Sequence, residues 1–207
     1  MKIILADLQV SVVNEWKKQL SDDPNLSVYQ GSIFDVEADA LVSPANSFGF
    51  MDGGLDMLIS KFFGWHVQDR LQTIIKHKYH GEIIVGEAEI VPTDHPKLPF
   101  VISAPTMRVP MILGRESVNV YLATRAVLLL IKYGKFDDGT LVSEKVKSVV
   151  FPGMGTGVGR VPPEICARQM KQAIQDVNIH NEFPQSWSDA QKRHQLLYSE
   201  SYRDLQR

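Results

Sequence analysis

Short apolar runs alternate along the chain with stretches in which apolar residues recur every three or four positions. The runs Ile3 to Leu5, Leu26 to Tyr29, Ala40 to Val42, Ala88 to Val91, Phe100 to Ser103 and Ser148 to Phe151 have the length and branched or aromatic content of strands. After the first run, Val13, Trp16 and Leu20 share one helical face; after the third, Leu55, Leu58, Ile59, Phe62 and Phe63 do. Gly64 is predicted to end that helix, and Val67, Leu71, Ile74 and Ile75 carry a further one toward Tyr79. Ser117 is predicted to cap a helix holding Val118, Leu122, Val127, Leu128 and Ile131, and Pro162-Pro163-Glu164 has the form of a proline-bearing first turn. Strands alternating with helices predict an α/β domain, a three-layer α/β/α sandwich whose sheet of about six strands is covered on both faces.

In such folds ligands sit beyond the carboxyl ends of the strands. The runs ending at Val42 and Phe151 both lead into glycine-bearing loops, which therefore form the walls of one expected cleft. The first loop passes through Asn46 and Gly53-Gly54-Leu55-Asp56 directly into a helix, whose unpaired N–H groups and positive dipole end suit an anion. The second reads Gly153-Met154-Gly155-Thr156-Gly157-Val158-Gly159-Arg160, and alternating glycines let backbone N–H groups approach a phosphate closely. Each feature also has a plain structural reading: a tight strand-to-helix connection, a turn-forming asparagine, a carboxylate favoured at a helix N-terminus. Taken together, at equivalent ends of the sheet, the two loops favour a phosphate cradle. No Gly-Lys-Ser/Thr follows the glycines and they come after the sixth strand, which excludes a P-loop and a dinucleotide fingerprint.

Composition narrows the class without changing it. At 207 residues the chain suits one full-sized domain, and 44% hydrophobic with 22% charged residues is ordinary for a folded protein. No apolar run approaches the roughly 20 residues of a spanning helix, so no membrane partner is expected. Asp7 interrupts the N-terminal apolar stretch before a signal-peptide core forms, which predicts a cytoplasmic protein. A formal charge of −2 gives no electrostatic reason to bind nucleic acid, so any nucleotide ligand is expected to be small. The single cysteine, Cys166, lies in an apolar-periodic stretch and reads as a buried helix position, not a catalytic thiol. His77 and His80 are spaced for a metal but lack companion ligands, and with Lys76 and Lys78 they read as a solvated basic patch; no metal is expected. The loop from Pro105 to Glu116 is a candidate lid, with Arg108 and Arg115 as substrate contacts. The segment 181–207 differs in composition and reads as an amphipathic extension to a domain of residues 1–180, either docked through Leu196, Leu197 and Tyr198 or free for a partner.

These residues together resemble the macro domain family. The family's Gly-Asp-Ile-Thr-like turn is similar to Gly31-Ser32-Ile33-Phe34, and its Asp-Ala-Ile-Val-Asn-Ala-Ala-Asn-Ser-like strand end to Asp39 through Ser47. Its glycine run closed by Val-Asp resembles Gly53-Gly54-Leu55-Asp56, its Gly-Glu-Ala turn Gly86-Glu87-Ala88, and its Ser-Thr-Gly loop Gly155-Thr156-Gly157-Val158. The matches keep the family's order from about Ile3 to Val177.

The resemblance implies a macro-domain-like α/β/α sandwich with a central mixed sheet of about six strands, and binding of ADP-ribose or an ADP-ribosylated substrate, with no metal and no cofactor. It further implies hydrolysis of a bond at the distal ribose, as in mono-ADP-ribosyl or O-acetyl-ADP-ribose hydrolases. A non-catalytic reader module and an ADP-ribose 1″-phosphate phosphatase are the alternatives. Carried over by position, Asn46 would orient the distal ribose and Asp56 would position or activate water, the catalytic pair. Ser32, Ile33, Ala45, Gly53, Gly54, Leu55, Gly155, Thr156, Gly157, Val158, Gly159 and Arg160 would hold the ligand. Several positions depart from the family pattern. Ser32 replaces the aspartate that reads adenine, with Asp35 nearby, and Ser43-Pro44 stands for the frequent Asn-Ala. Met51-Asp52 replaces two glycines, placing bulk and a second carboxylate by the anion loop. Gly159 stands where many members carry an aromatic ring, and Arg160 follows in place of glycine, a candidate grip for a terminal phosphate.

Overall fold

The computed structural model describes residues 1–20, 23–178 and 183–205. Its strands are β1 (Lys2–Asp7), β2 (Leu26–Gln30), β3 (Ala40–Ser43), β4 (Glu89–Pro92), β5 (Phe100–Ser103) and β6 (Ser148–Phe151). The helices are α1 (Val10–Leu20), α2 (Gly54–Phe63), α3 (His66–Lys78), α4 (Asn119–Tyr133), the single turn α5 (Val142–Lys145), α6 (Pro163–Asn178) and α7 (Trp187–Gln195). The strands form one six-stranded sheet in the order β2-β1-β6-β3-β5-β4. Every neighbouring pair is parallel except β4 with β5. β4 starts at Glu89, one residue later than its apolar run, and ends on Pro92. A proline is tolerated there because β4 is an edge strand and one side of it makes no ladder.

The pleat sorts side chains into two cores. Ile3 and Leu5, Val42, Val149 and Phe151 face α1, α4 and α6, where Trp16 is fully buried. Ile4 and Ala6, Leu41 and Val150 face Ile59 of α2 and Val67, Leu71 and Ile75 of α3. Strands buried on both faces read as continuous apolar runs, which is why they stood out in the sequence. The result is the expected α/β/α sandwich with a mixed sheet.

Gly64 ends α2 with φ +107, and Pro163 opens α6, as their chemistry predicts. The start of α4 differs from expectation. Its cap position is Val118; the Ser117 hydroxyl accepts from the Asn119 N–H at 3.2 Å, one step short of a capping geometry. Instead the fully buried Gln169 of α6 reaches across, accepting from the Tyr121 N–H at 3.0 Å and donating to the Ser117 carbonyl at 2.7 Å. A distant amide thus satisfies one orphan N–H of this helix end and the Ser117 carbonyl just before it. His77 lies in the last turn of α3, whereas His80 follows the helix with φ +54, so the two do not share a helical face.

Beyond α6, α7 is capped by the Ser186 hydroxyl, which accepts from the Asp189 N–H. Leu197 is buried, and Tyr198 packs against the core on the α1, α4 and α6 side. The expected boundary at residues 180 and 181 lies outside the described residues. Among the described residues no helix is long and apolar enough to cross a membrane.

Candidate functional site

The carboxyl ends of β1, β3 and β6 open into a cleft of about 1180 Å³. β6 sits between β1 and β3 in the sheet, so the loops leaving these strands face one another, the arrangement of a switch-point site. The structure gathers the residues expected there. Ala45, Asn46, Gly53, Gly54, Leu55 and Asp56 line one wall, Gly155 through Gly159 the other, and Ser32 and Ile33 one end. Arg160 is the exception: its φ is +53, its N–H closes a turn onto the Gly157 carbonyl, and it stands exposed, outside the lining.

The first wall is an open helix end. α2 begins at Gly54 with Gly53 at its cap position, and no side chain caps it. Gly54 has φ +55, a conformation that glycine adopts without the strain a side chain would bring. The N–H groups of Gly54, Leu55 and Asp56 belong to the first turn and have no carbonyl within the helix to meet. Met51, whose bulk could have obstructed this wall, is 1% exposed and belongs to the α2–α3 core. Asp52 does line the cleft.

Asp56 is the most perturbed acid of the site. Burial pushes its carboxyl up to about 6 from 3.8; the Ser43 hydroxyl bonded to it pulls the other way, and the Asp52 charge adds to the rise. Ser43 is the last residue of β3 and 1% exposed, and its hydroxyl donates to Asp56 Oδ1. Replacing Ser43 with alanine removes the only one of these influences that favours the charged form. The Asp56 pKa is then expected to rise by about one unit, a loss of about 1–2 kcal/mol of hydrogen bonding to the carboxylate, readable by carboxyl-carbon NMR titration.

Asn46 lines the cleft with its amide engaged by its own loop. Its Oδ1 accepts from the Phe48 and Phe50 N–H groups at 3.1 and 3.3 Å, and its Nδ2 donates to the Phe50 carbonyl at 2.7 Å. Ser32 likewise serves its own turn, accepting from the Phe34 N–H at 3.2 Å, while Asp35 is exposed and outside the lining.

Sequence reasoning missed several lining residues. Asp7, at the end of β1, accepts from the N–H groups of Gln9 at 2.8 Å and Gly153 at 2.9 Å, and so ties the second glycine loop to the sheet. Its place at a carboxyl strand end was the available signal. Phe34, Phe48, Phe50 and Leu58 make the cleft strongly apolar. Phe34 is stacked on Phe62 with centroids 4.6 Å apart. Of the candidate lid, Thr106, Met107, Val109 and Pro110 reach the lining. Arg108 is paired to Glu82 at 2.7 Å and lies over the Phe48 ring, and Arg115 is paired to Glu164 at 2.8 Å. No lysine or arginine lines the cleft among the described residues. Cys166 is fully buried, with its thiol pushed up to about 12 by burial, which removes it from nucleophilic chemistry. Among the described residues no cluster of three or more histidine, cysteine or carboxylate side chains could hold a metal ion.

Known proteins share this architecture. An uncharacterized protein of Aquifex aeolicus is 35% identical over 79% of this chain and 95% of its own length. The mouse ADP-ribose glycohydrolase MACROD1 is 26% identical over 78% of this chain, which spans 46% of that protein. The Oceanobacillus iheyensis macrodomain, solved with ADP, superposes with a TM-score of 0.58 at 22% identity, covering 73% of this chain and 75% of that one. Residues 42–170, which run from the end of strand β3 through both glycine loops into α6, match the family described as Macro domain. With that match spanning more than half its length, this chain belongs to the macro domain family.

Proposed function

We propose that this protein binds ADP-ribose, or an ADP-ribosyl derivative, in the cleft and hydrolyses a bond at the distal ribose. The observation that carries the reading is Asp56: a carboxyl raised to about 6 by burial, in the first turn of a helix that no side chain caps, facing a second glycine loop. The diphosphate would lie on the N–H groups of the α2 start and of Gly155 through Val158. With no lysine or arginine in the lining among the described residues, backbone dipoles supply its counter-charge. Asp56, once ionised, would take a proton from water as the water oxygen attacks the anomeric carbon, or the acyl carbon of an acetyl ester. The bond to the leaving group breaks with its electron pair, and the leaving oxygen is protonated in turn.

The ADP-ribose activity in the name of the mouse relative and the ADP bound by the Oceanobacillus macrodomain support the ligand class. The phosphatase reading rested on Arg160, which stands outside the lining. The net charge of −2 supports a small nucleotide or an ADP-ribosylated protein as partner over nucleic acid. A single, buried, unpaired cysteine is compatible with the reducing cytoplasm. In this reading residues 1–180 form the binding unit and the segment after them its extension.

Calorimetric titration with ADP-ribose, with AMP and ribose 5-phosphate as controls, is the test. Selective binding in the micromolar range, about −8 kcal/mol, is expected. Turnover of mono-ADP-ribosylated peptide or O-acetyl-ADP-ribose should accompany it. Binding without turnover on either would make the protein a reader module; no binding would sink the ADP-ribose reading altogether.

A further inference from the structure

β3 and β5 run parallel with Ser43 opposite Ser103, and β4 pairs antiparallel with β5 so that Glu89 also lies opposite Ser103. Their strand neighbours Val42, Ile102 and Ile90 belong to the core under α1, α4 and α6, so the pleat turns Ser43, Ser103 and Glu89 to the other face, toward α2 and α3. Contacts at both ends agree. Ser43 donates to Asp56 of α2, and Glu89 accepts from Lys78 Nζ of α3 at 2.6 Å and from the Tyr79 hydroxyl at 3.1 Å. The sheet end thus carries a row of polar side chains, Asp56, Ser43, Ser103 and Glu89, the last three of them buried. Within it the Ser103 hydroxyl is buried and hydrogen-bonded to nothing, a rare and costly state for such a group. Glu89 has no need of its proton, since the Ile90 N–H at 3.0 Å gives that carboxylate a third donor. Ser43 has the need: its Oγ donates to Asp56 and, among the described residues, receives no hydrogen bond in return.

We propose that Ser103 is a positioning residue for Asp56: its hydroxyl turns about the Cα–Cβ bond to donate to Ser43 Oγ when the Asp56 carboxyl is ionised. The inference deepens the hydrolase reading and rests on it for what Asp56 does. A serine hydroxyl has three staggered positions to choose among, so the turn needs no movement of the backbone. An ionised carboxylate draws the Ser43 hydrogen more strongly than a neutral one and makes the Ser43 oxygen a better acceptor, which polarises the next donor in the chain. With Asp56 protonated that pull is gone, and Ser103 is left as it stands here. The charged groups around the row are Asp52 and Asp7 in the cleft lining, both acidic, and at its far end Glu89 with Lys78, whose charges offset one another. With no lysine or arginine in the lining among the described residues, hydroxyl dipoles beside the open end of α2 are what the fold offers the Asp56 carboxylate.

The experiment follows the Asp56 carboxyl carbon by NMR titration, without ligand, in wild type, Ser103→Ala, Ser43→Ala and the double variant. Ser103→Ala is expected to raise the Asp56 pKa by up to about half a unit, less than Ser43→Ala does, because a chain strengthens the bond it extends by only a fraction of that bond's worth. The double variant should titrate like Ser43→Ala alone, since Ser103 acts through Ser43. Ser103→Thr, which keeps the hydroxyl, should titrate like wild type. The acid limb of kcat on an ADP-ribosyl substrate should move with the pKa. A serine with a merely structural role would change Tm and leave the titration where it was. An Asp56 pKa unmoved in Ser103→Ala would overturn the proposal, and so would a rise that persists without the Ser43 hydroxyl, or a threonine variant that titrates like the alanine one. Because the titration needs no ligand, the two readings fail separately. The expected pKa pattern in a protein that neither binds nor turns over ADP-ribose would remove the hydrolase reading and leave the Ser103 chain standing; turnover with an unmoved pKa would remove the chain alone.

Discussion

Replacing Asp56 with asparagine is expected to lower turnover by about 10²–10⁴-fold, the usual contribution of a positioned general base, while ADP-ribose affinity stays equal or improves. Asparagine keeps an oxygen to accept from the Ser43 hydroxyl, so the wall keeps its shape; what it loses is the capacity to take a proton. It also removes one negative charge from a cleft that holds Asp52 and Asp7 and, among the described residues, no lysine or arginine in its lining, which favours a diphosphate. Neither remaining acid is placed to take over. Asp7 has both carboxylate oxygens engaged by backbone N–H groups of Gln9 and Gly153, and Asp52 is exposed. Single-turnover kinetics beside calorimetry separate the effects. Loss of binding together with turnover would make Asp56 a part of the binding wall, and undiminished turnover would move the base elsewhere.

The fold was legible because each of its elements is written in contiguous residues. The strands are buried on both faces and so show as unbroken apolar runs, Gly64 and Pro163 mark helix ends by their own backbone chemistry, and the two glycine loops fall where the sheet ends. What the sequence left open are relations between residues that only the fold brings together. Ser43 and Asp56 are separated by a loop, and their bond depends on α2 returning over the end of β3. Asp7 and Gly153 meet because β1 and β6 are neighbours in the sheet though they lie at opposite ends of the domain sequence. Gln169 caps α4 from another helix, so no local pattern near Ser117 announces it. Asn46 is the instructive case. Its residue type allows both a ribose contact and a turn, and the hydrogen bonds to Phe48 and Phe50 are what a turn requires. Arg160 was attractive as a cation beside glycines, but a left-handed residue closing a turn stands outside the cleft it follows.

Activity and stability are expected to move in opposite directions with pH, through the same carboxyl. The folded Asp56 titrates at about 6, above its value of 3.8 in an unfolded chain. Between those values the folded state keeps a proton that the unfolded state releases. The contribution of Asp56 to stability is therefore fully present below pH 3.8 and is lost as pH rises through 6. Two pKa units correspond to about 3 kcal/mol, so burying this charge at neutral pH costs on the order of 2–3 kcal/mol. Hydrolysis has the opposite need. A base works only when ionised, so kcat should fall about tenfold per pH unit below 6 and level off above it. The Asp56→Asn variant isolates the stability half, since every other acid, including Asp94, Asp138 and Asp189 with carboxyls held low by their partners, is common to both proteins and cancels in the difference. Its Tm should match the wild type near pH 4 and exceed it by about 5–10 °C above pH 7, at about 2–4 °C per kcal/mol for a domain of this size. A difference that stays flat with pH would mean Asp56 is not held against its ionisation. A difference that grows as the rate grows would identify a carboxylate whose burial destabilises the fold and whose ionised form serves the chemistry, the pairing expected of a buried base.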